Sequence, residues 1–174
     1  REMNTYSPDL KALWMAENVG SVLVADATVA SVTRDDSMIG GGAAALEIVI
    51  PRADVAVVLV GANDVTAVNG LTPSARRVGA AVARLRASGA VVVVGTCPDF
   101  GVITAIPQPL RLVARTRGLR LARLQAAAVR SAGGVPVPFS DLLAPEFYKA
   151  PEVLFSSDMF HPSAAGYALA AQQL

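Results

Sequence analysis

The chain has 174 residues, 53% apolar and 17% charged, with a formal charge of +1. Such length and apolar content suit one domain with a sizeable core and exclude a disordered chain. The near-neutral balance implies no polyanionic partner, and the basic residues, nearly all Arg, read as coding bias rather than as a nucleic-acid surface, which would need a clustered patch.

Cys97 is the only cysteine, so no internal disulfide can form, which says little about compartment. No apolar run approaches the roughly 20 residues of a membrane span, and no signal peptide is visible. The chain opens at Arg1 without an initiator Met, so the natural N-terminus is expected upstream. Location is left open, a secreted or cell-envelope one included, and so is oligomeric state.

In chain order, residues 8–18 read as a helix and residues 21–24 as a weak strand. The glycines at 40–42 read as a loop inside the domain. The clearest strand is 53–60, Ala-Asp-Val-Ala-Val-Val-Leu-Val. A helix follows, with Thr72 as N-cap, Pro73 in its first turn, Val78, Val82 and Leu85 on one face, and Gly89 as its stop. Residues 90–94 read as a second strong strand. Residues 110–130 read as a longer helix, with Arg115, Arg120 and Arg123 set among leucines and Gly133-Gly134 at its end. The prolines of 135–139 suit an edge strand, and 164–174 reads as a closing helix.

Continuous apolar runs of this length predict strands buried on both faces. Their alternation with helices predicts an α/β three-layer domain with a mostly parallel sheet, spanning residues 1–174 as one unit.

In such sheets ligands bind outside the carboxyl ends of the strands. Residues 61–64 (Gly-Ala-Asn-Asp), 95–100 (Gly-Thr-Cys-Pro-Asp-Phe) and 156–162 (Ser-Ser-Asp-Met-Phe-His-Pro) are expected there. His161 is the only histidine, so histidine-mediated general base catalysis can use no other residue. Asp158, three residues earlier, is spaced to reach Nδ1, fix the tautomer and stabilise an imidazolium. The same spacing also suits a surface Asp beside a helix-capping His. Asn63 reads either as an oxyanion donor or as a turn residue. Cys97 reads as a buried apolar residue before it reads as a nucleophile, and the Arg-rich helix as a solvated face before an anionic-lipid site. Phosphate loops, a dinucleotide fingerprint and a Gly-x-Ser-x-Gly elbow are absent. One His and one Cys make a zinc site of the usual kind unexpected, and no metal or cofactor is implied.

Taken together, the segments resemble the SGNH/GDSL hydrolase family. Residues 58–65, Val-Leu-Val-Gly-Ala-Asn-Asp-Val, look like its Gly-x-Asn-Asp block. Residues 157–167, Ser-Asp-Met-Phe-His-Pro-Ser-Ala-Ala-Gly-Tyr, look like its Asp-x-x-His-Pro block. Residues 94–100 and 106–110 are similar to stretches of actinobacterial members. The resemblance implies a flavodoxin-like α/β/α sandwich with about five parallel strands. It implies a serine ester hydrolase with His161 as general base, Asp158 as its orienting carboxylate and Asn63 as an oxyanion donor. A second donor is implied at the backbone of Ser31, within 29–33. Gly61, Phe100 and Phe160, with Ile103, are expected at the oxyanion and acyl rim.

The family's Gly-Asp-Ser-Leu block has no match; Ala25-Asp-Ala27 has only a faint likeness to it, and 29–33 fits the second block better. The first strand and its nucleophilic serine are therefore expected upstream of Arg1. The substrate implied is a small acyl ester or lipid. An acyltransferase with the same triad, or a binding module that has lost its serine, are the alternatives.

Overall fold

In the valine runs at 55–59 and 91–95, alternate residues are sealed from water, which favours their pairing into a sheet. The structure, a computed structural model, describes residues 21–24, 54–65 and 70–174. The helix expected over 8–18, the 25–27 and 29–33 stretches with Ser31, and the glycines at 40–42 lie outside the described residues. Strand β1 (Ser21–Val24) pairs antiparallel with β2 (Val55–Leu59). β2 runs parallel to β3 (Val91–Gly95), and β3 parallel to β4 (Val135–Val137), in the order β1-β2-β3-β4. Among the described strands the sheet is thus mostly parallel, and the proline-bearing β4 lies at its edge, where a residue without an N–H is tolerated.

Two helices pack side by side on one face. They are α1 (Leu71–Ala87) and α2 (Leu110–Ser131). Val78, Val82 and Leu85 of α1 and Val129 of α2 close over Ala56, Val58, Val92 and Val94. Burying a valine or leucine fully is worth about 1.5–3 kcal/mol, so this cluster supplies much of the force that holds helices to sheet. The opposite face differs from the expectation of strands buried on both sides. Val55, Val57 and Leu59 of β2 are only half-buried, and Val91 of β3 is exposed. Among the described residues, the cover on that face comes from short helices.

Those short helices are α3 (Phe139–Leu142), α4 (Ala144–Lys149) and α5 (Pro151–Leu154). With four to six residues each, they show too little periodicity for a sequence pattern to reveal. Phe139 of α3, Phe147 of α4 and Leu143 between them join a second cluster with Leu121 and Phe155, against which Leu59 and Val93 of the sheet pack. Helices therefore cover both faces, and the domain is the expected α/β/α sandwich. The chain closes with α6 (Ala164–Ala171).

Two element ends moved by a residue or a few. Gly70, not Thr72, caps α1; its φ of 78° is open to glycine, and it turns the chain so that Leu71 is buried in the first helical turn. Helix α6 stops at Ala171 rather than at the C-terminus. The stop of α2 is as expected: the N–H groups of Gly133 and Gly134 donate to the carbonyls of Arg130 (3.0 Å) and Val129 (2.9 Å). Among the described residues no helix is long and apolar enough to cross a membrane.

Leu121 has no exposed surface, whereas Leu112 on the same helix is 59% exposed. Leu121→Ala is expected to destabilise by about 2–5 kcal/mol, and Leu112→Ala by no more than about 0.5 kcal/mol. Chemical denaturation checks both, with the slope unchanged if the variants keep a compact native state.

Candidate active site

Between α5 and α6 the chain makes a narrow loop whose neck is closed by backbone bonds. Phe155 bridges Pro162, and the Ser156 N–H donates to the His161 carbonyl at 2.8 Å. The Met159 N–H donates back to the Ser156 carbonyl at 2.9 Å, and Met159 takes a φ of 54°. A non-glycine residue in the left-handed region is uncommon and marks a backbone held by its surroundings. Ser163 then caps α6, its Oγ accepting from the Gly166 N–H and donating to the Val153 carbonyl at 2.6 Å.

At the loop's tip the two oxygens of Asp158 have separate partners. Oδ1 accepts three hydrogen bonds: from Ser156 Oγ (2.7 Å), the Phe160 N–H (2.9 Å) and the His161 N–H (3.0 Å). Oδ2 is left to His161 Nδ1, at 2.6 Å. The contact to the His161 ring, followed by these donors, holds the Asp158 carboxyl well below the usual carboxylate range. Because an ionised carboxylate only accepts, Nδ1 must carry a proton, and Nε2 is the ring atom able to take one. Both side chains are nearly half exposed, so solvent and small molecules reach them. The Phe160 ring stands edge-on to the imidazole, with centroids 4.9 Å apart. Below the loop, burial pushes the Tyr167 phenol up to about 12, with the nearby Asp158 charge adding to the rise.

The second constellation stands at the carboxyl end of β2. Gly61, with φ 118°, leads into a single 3-10 turn over Asn63–Val65, closed by the Asp64 N–H on the Gly61 carbonyl. Asn63 is exposed on this turn. Asp64 beside it is buried, and burial raises its carboxyl above the usual range, opposed by neighbouring Ser74 and Arg77. Arg117 of α2 donates from Nε to the Val65 carbonyl at 2.7 Å. Asn63 thus has the turn geometry of one sequence reading and the strand-end exposure required by the other.

The third segment folds inward. Asp99 caps a 3-10 turn over Phe100–Val102, accepting from the Gly101 N–H and from Arg115 Nε at 3.2 Å. That turn aims Phe100 at Gly118 of α2, so Phe100 and Ile103 are core side chains, 6% and 7% exposed. Of the three apolar rim candidates, only Phe160 stands at the surface beside His161. Cys97 is fully buried; burial, with the charges of Asp64 and Asp99, pushes its thiol up, away from the thiolate that a nucleophile needs.

The structure therefore gathers Asp158, His161 and Phe160 on one loop and sets Gly61 and Asn63 on another. It adds Ser156, which the sequence reading passed over; a Ser two positions before an Asp is a weak turn signal and nothing more. Two surface hollows of about 360 and 370 Å³ share Arg115 and Tyr148 and contain none of these residues. Among the described residues no group of three His, Cys, Asp or Glu side chains could hold a metal ion.

Comparison with known proteins bears on this arrangement. The model of the GDSL-like lipase/acylhydrolase family matches residues 5–169. A GDSL-like esterase of Mycobacterium tuberculosis, Rv1075c, is 56% identical over 165 residues, which are 95% of this chain and 52% of that protein. The chain thus spans about half the length of the curated relative it matches. No solved structure matches it.

The Asp158 contacts generate a prediction about pH. Its folded-state pKa is depressed, so the interaction contributes stability above the unfolded value, about 3.9. That stability is lost only as pH falls below this value and through the folded one. Ser156→Ala is expected to raise the Asp158 pKa toward the ordinary value, read by carbon-13 NMR titration of the side-chain carboxyl. An unchanged titration would show that Ser156 does not act on the charge.

Proposed function

The chain belongs to the GDSL-like lipase/acylhydrolase family, and from that premise we propose that it carries the acid–base pair and an oxyanion donor of a serine ester hydrolase acting on small acyl esters. The observation that carries this reading is the 2.6 Å contact between His161 Nδ1 and Asp158 Oδ2, on an exposed loop. The three donors on the other carboxylate oxygen leave Oδ2 directed at the ring, which supports an orienting role for Asp158. The esterase named among its relatives supports hydrolysis as the reaction class.

In this reading a serine hydroxyl attacks the ester carbonyl. His161 Nε2 takes its proton and returns it to the leaving alcohol, while Asp158 holds the ring and stabilises the imidazolium. The Asn63 side-chain NH₂ donates to the oxyanion, and backbone N–H groups add to it, that of Ser31 among them. Water then enters, and His161 repeats its role to release the acid. The serines beside the histidine do not suit attack, because Ser156 Oγ is engaged by Asp158 and Ser163 Oγ by Val153 and Gly166. The nucleophile belongs to a Gly-Asp-Ser-Leu block of the family kind. Phe160, edge-on to the imidazole, forms one wall for the acyl or alcohol group.

Removing one oxyanion donor typically costs about 10²–10³ in turnover. In the full-length protein, Asn63→Ala should lower kcat on a short-chain p-nitrophenyl ester by that order, and His161→Ala by more. Release of free acid in the presence of added alcohol separates hydrolysis from acyl transfer. Near-normal turnover by His161→Ala would overturn the assignment.

A further inference from the structure

The ladder between β2 and β3 ends at the Leu59–Gly95 pair, but the chain stays buried for several residues beyond it. Past that point the Val60 carbonyl and the Cys97 N–H have no strand partner in register. A backbone polar group left unpaired in such a place is costly. One side chain satisfies both. Gln125 of α2, with no exposed surface, donates from Nε2 to the Val60 carbonyl at 3.1 Å and accepts at Oε1 from the Cys97 N–H at 2.8 Å. Its carboxamide acts as one extra rung of the sheet, supplied from a helix 28 residues on from Cys97.

The rung lies directly beneath Gly61. A Cβ built on Gly61 would overlap Gln125 Nε2, and the φ of 118° also excludes other residues there. The amide and the glycine are thus matched. The amide fixes the Val60 carbonyl, the glycine leaves room for it, and the chain emerges two residues later at Asn63.

We propose that Gln125 is a positioning residue for the oxyanion donor Asn63, acting through Val60 and Gly61, and not only a filler of the core. This rests on the reading of Asn63 as that donor. The carboxamide sets where the Asn63 turn starts, and the transition state feels a misplaced donor more than the bound ester does.

The test is a double-mutant cycle in the full-length protein with a short-chain p-nitrophenyl ester. Gln125→Met keeps side-chain length and removes both bonds. Expected is a fall in kcat on the order of 10–100-fold with little change in KM, when rates are normalised to the fraction that a fluorophosphonate probe labels. In an Asn63→Ala background the same substitution should leave kcat unchanged, while its effect on Tm persists, since a purely structural role would add to Asn63→Ala in both readings. An equal fall in kcat in both backgrounds, or no fall in folded Gln125→Met, overturns the proposal. If Gln125→Met does not fold, Gln125→Glu, which keeps an acceptor for the Cys97 N–H, is carried through the same cycle. Failure of both to fold overturns positioning in favour of a structural role. A loss-free Asn63→Ala would instead refute the oxyanion reading itself, and is read independently of Gln125.

Discussion

Everything at the carboxyl end of the sheet depends on how two buried strands stop being a sheet. β2 and β3 part after Leu59 and Gly95, yet their continuations remain out of water, so their backbone groups must find partners off the ladder. Helix α2 supplies them. Gln125 bridges Val60 and Cys97, Arg117 reaches the Val65 carbonyl, and Arg115 pairs with Asp99. Gly118 lets the Phe100 turn approach the helix closely. Four positions on one helix therefore hold both loops, and α2 is a strut as much as a layer. Arg115, Arg120 and Arg123 are exposed as expected of a solvated face, and Arg115 and the half-buried Arg117 also anchor these loops.

The histidine loop solves a different problem with less material. It is nearly half exposed, so burial cannot hold its carboxylate in place, and hydrogen bonds must. Three donors occupy Oδ1, two of them backbone N–H groups that the loop supplies at no cost in side-chain entropy. The remaining oxygen has one direction left, toward His161 Nδ1. The left-handed Met159 and the Phe155–Pro162 bridge keep the loop narrow enough for this to happen. Charge and geometry are coupled here: the donors that depress the Asp158 pKa also aim its second oxygen.

The two loops are held differently. The Asn63 turn rises from a buried base at Val60 and Gly61 and is exposed at Asn63, whereas the Asp158–His161 pair is fixed by hydrogen bonds within its own loop. Cys97, lying between strand and strut, is kept chemically quiet by burial and by two nearby carboxylates.

Much of this was legible from residue order alone. Valine runs broken by glycine set the strands, because only an apolar run can be buried between layers. One histidine left a single candidate for a histidine base, while the three-residue spacing of Asp158 suited a turn residue as well as a partner; the 2.6 Å contact was visible only in the fold. Tertiary structure decided the rest. It gave Phe100 and Ile103 to the core, because the capped turn after Asp99 points inward, which position after a strand does not reveal. It made Ser156 a donor to Asp158, because loop closure brings them together. It also gave Gln125, an unremarked polar residue in a helix, the task of joining two strands. That task has no sequence signature, since its partners are backbone atoms 28 and 65 residues away, and a backbone amide or carbonyl looks the same whichever residue carries it.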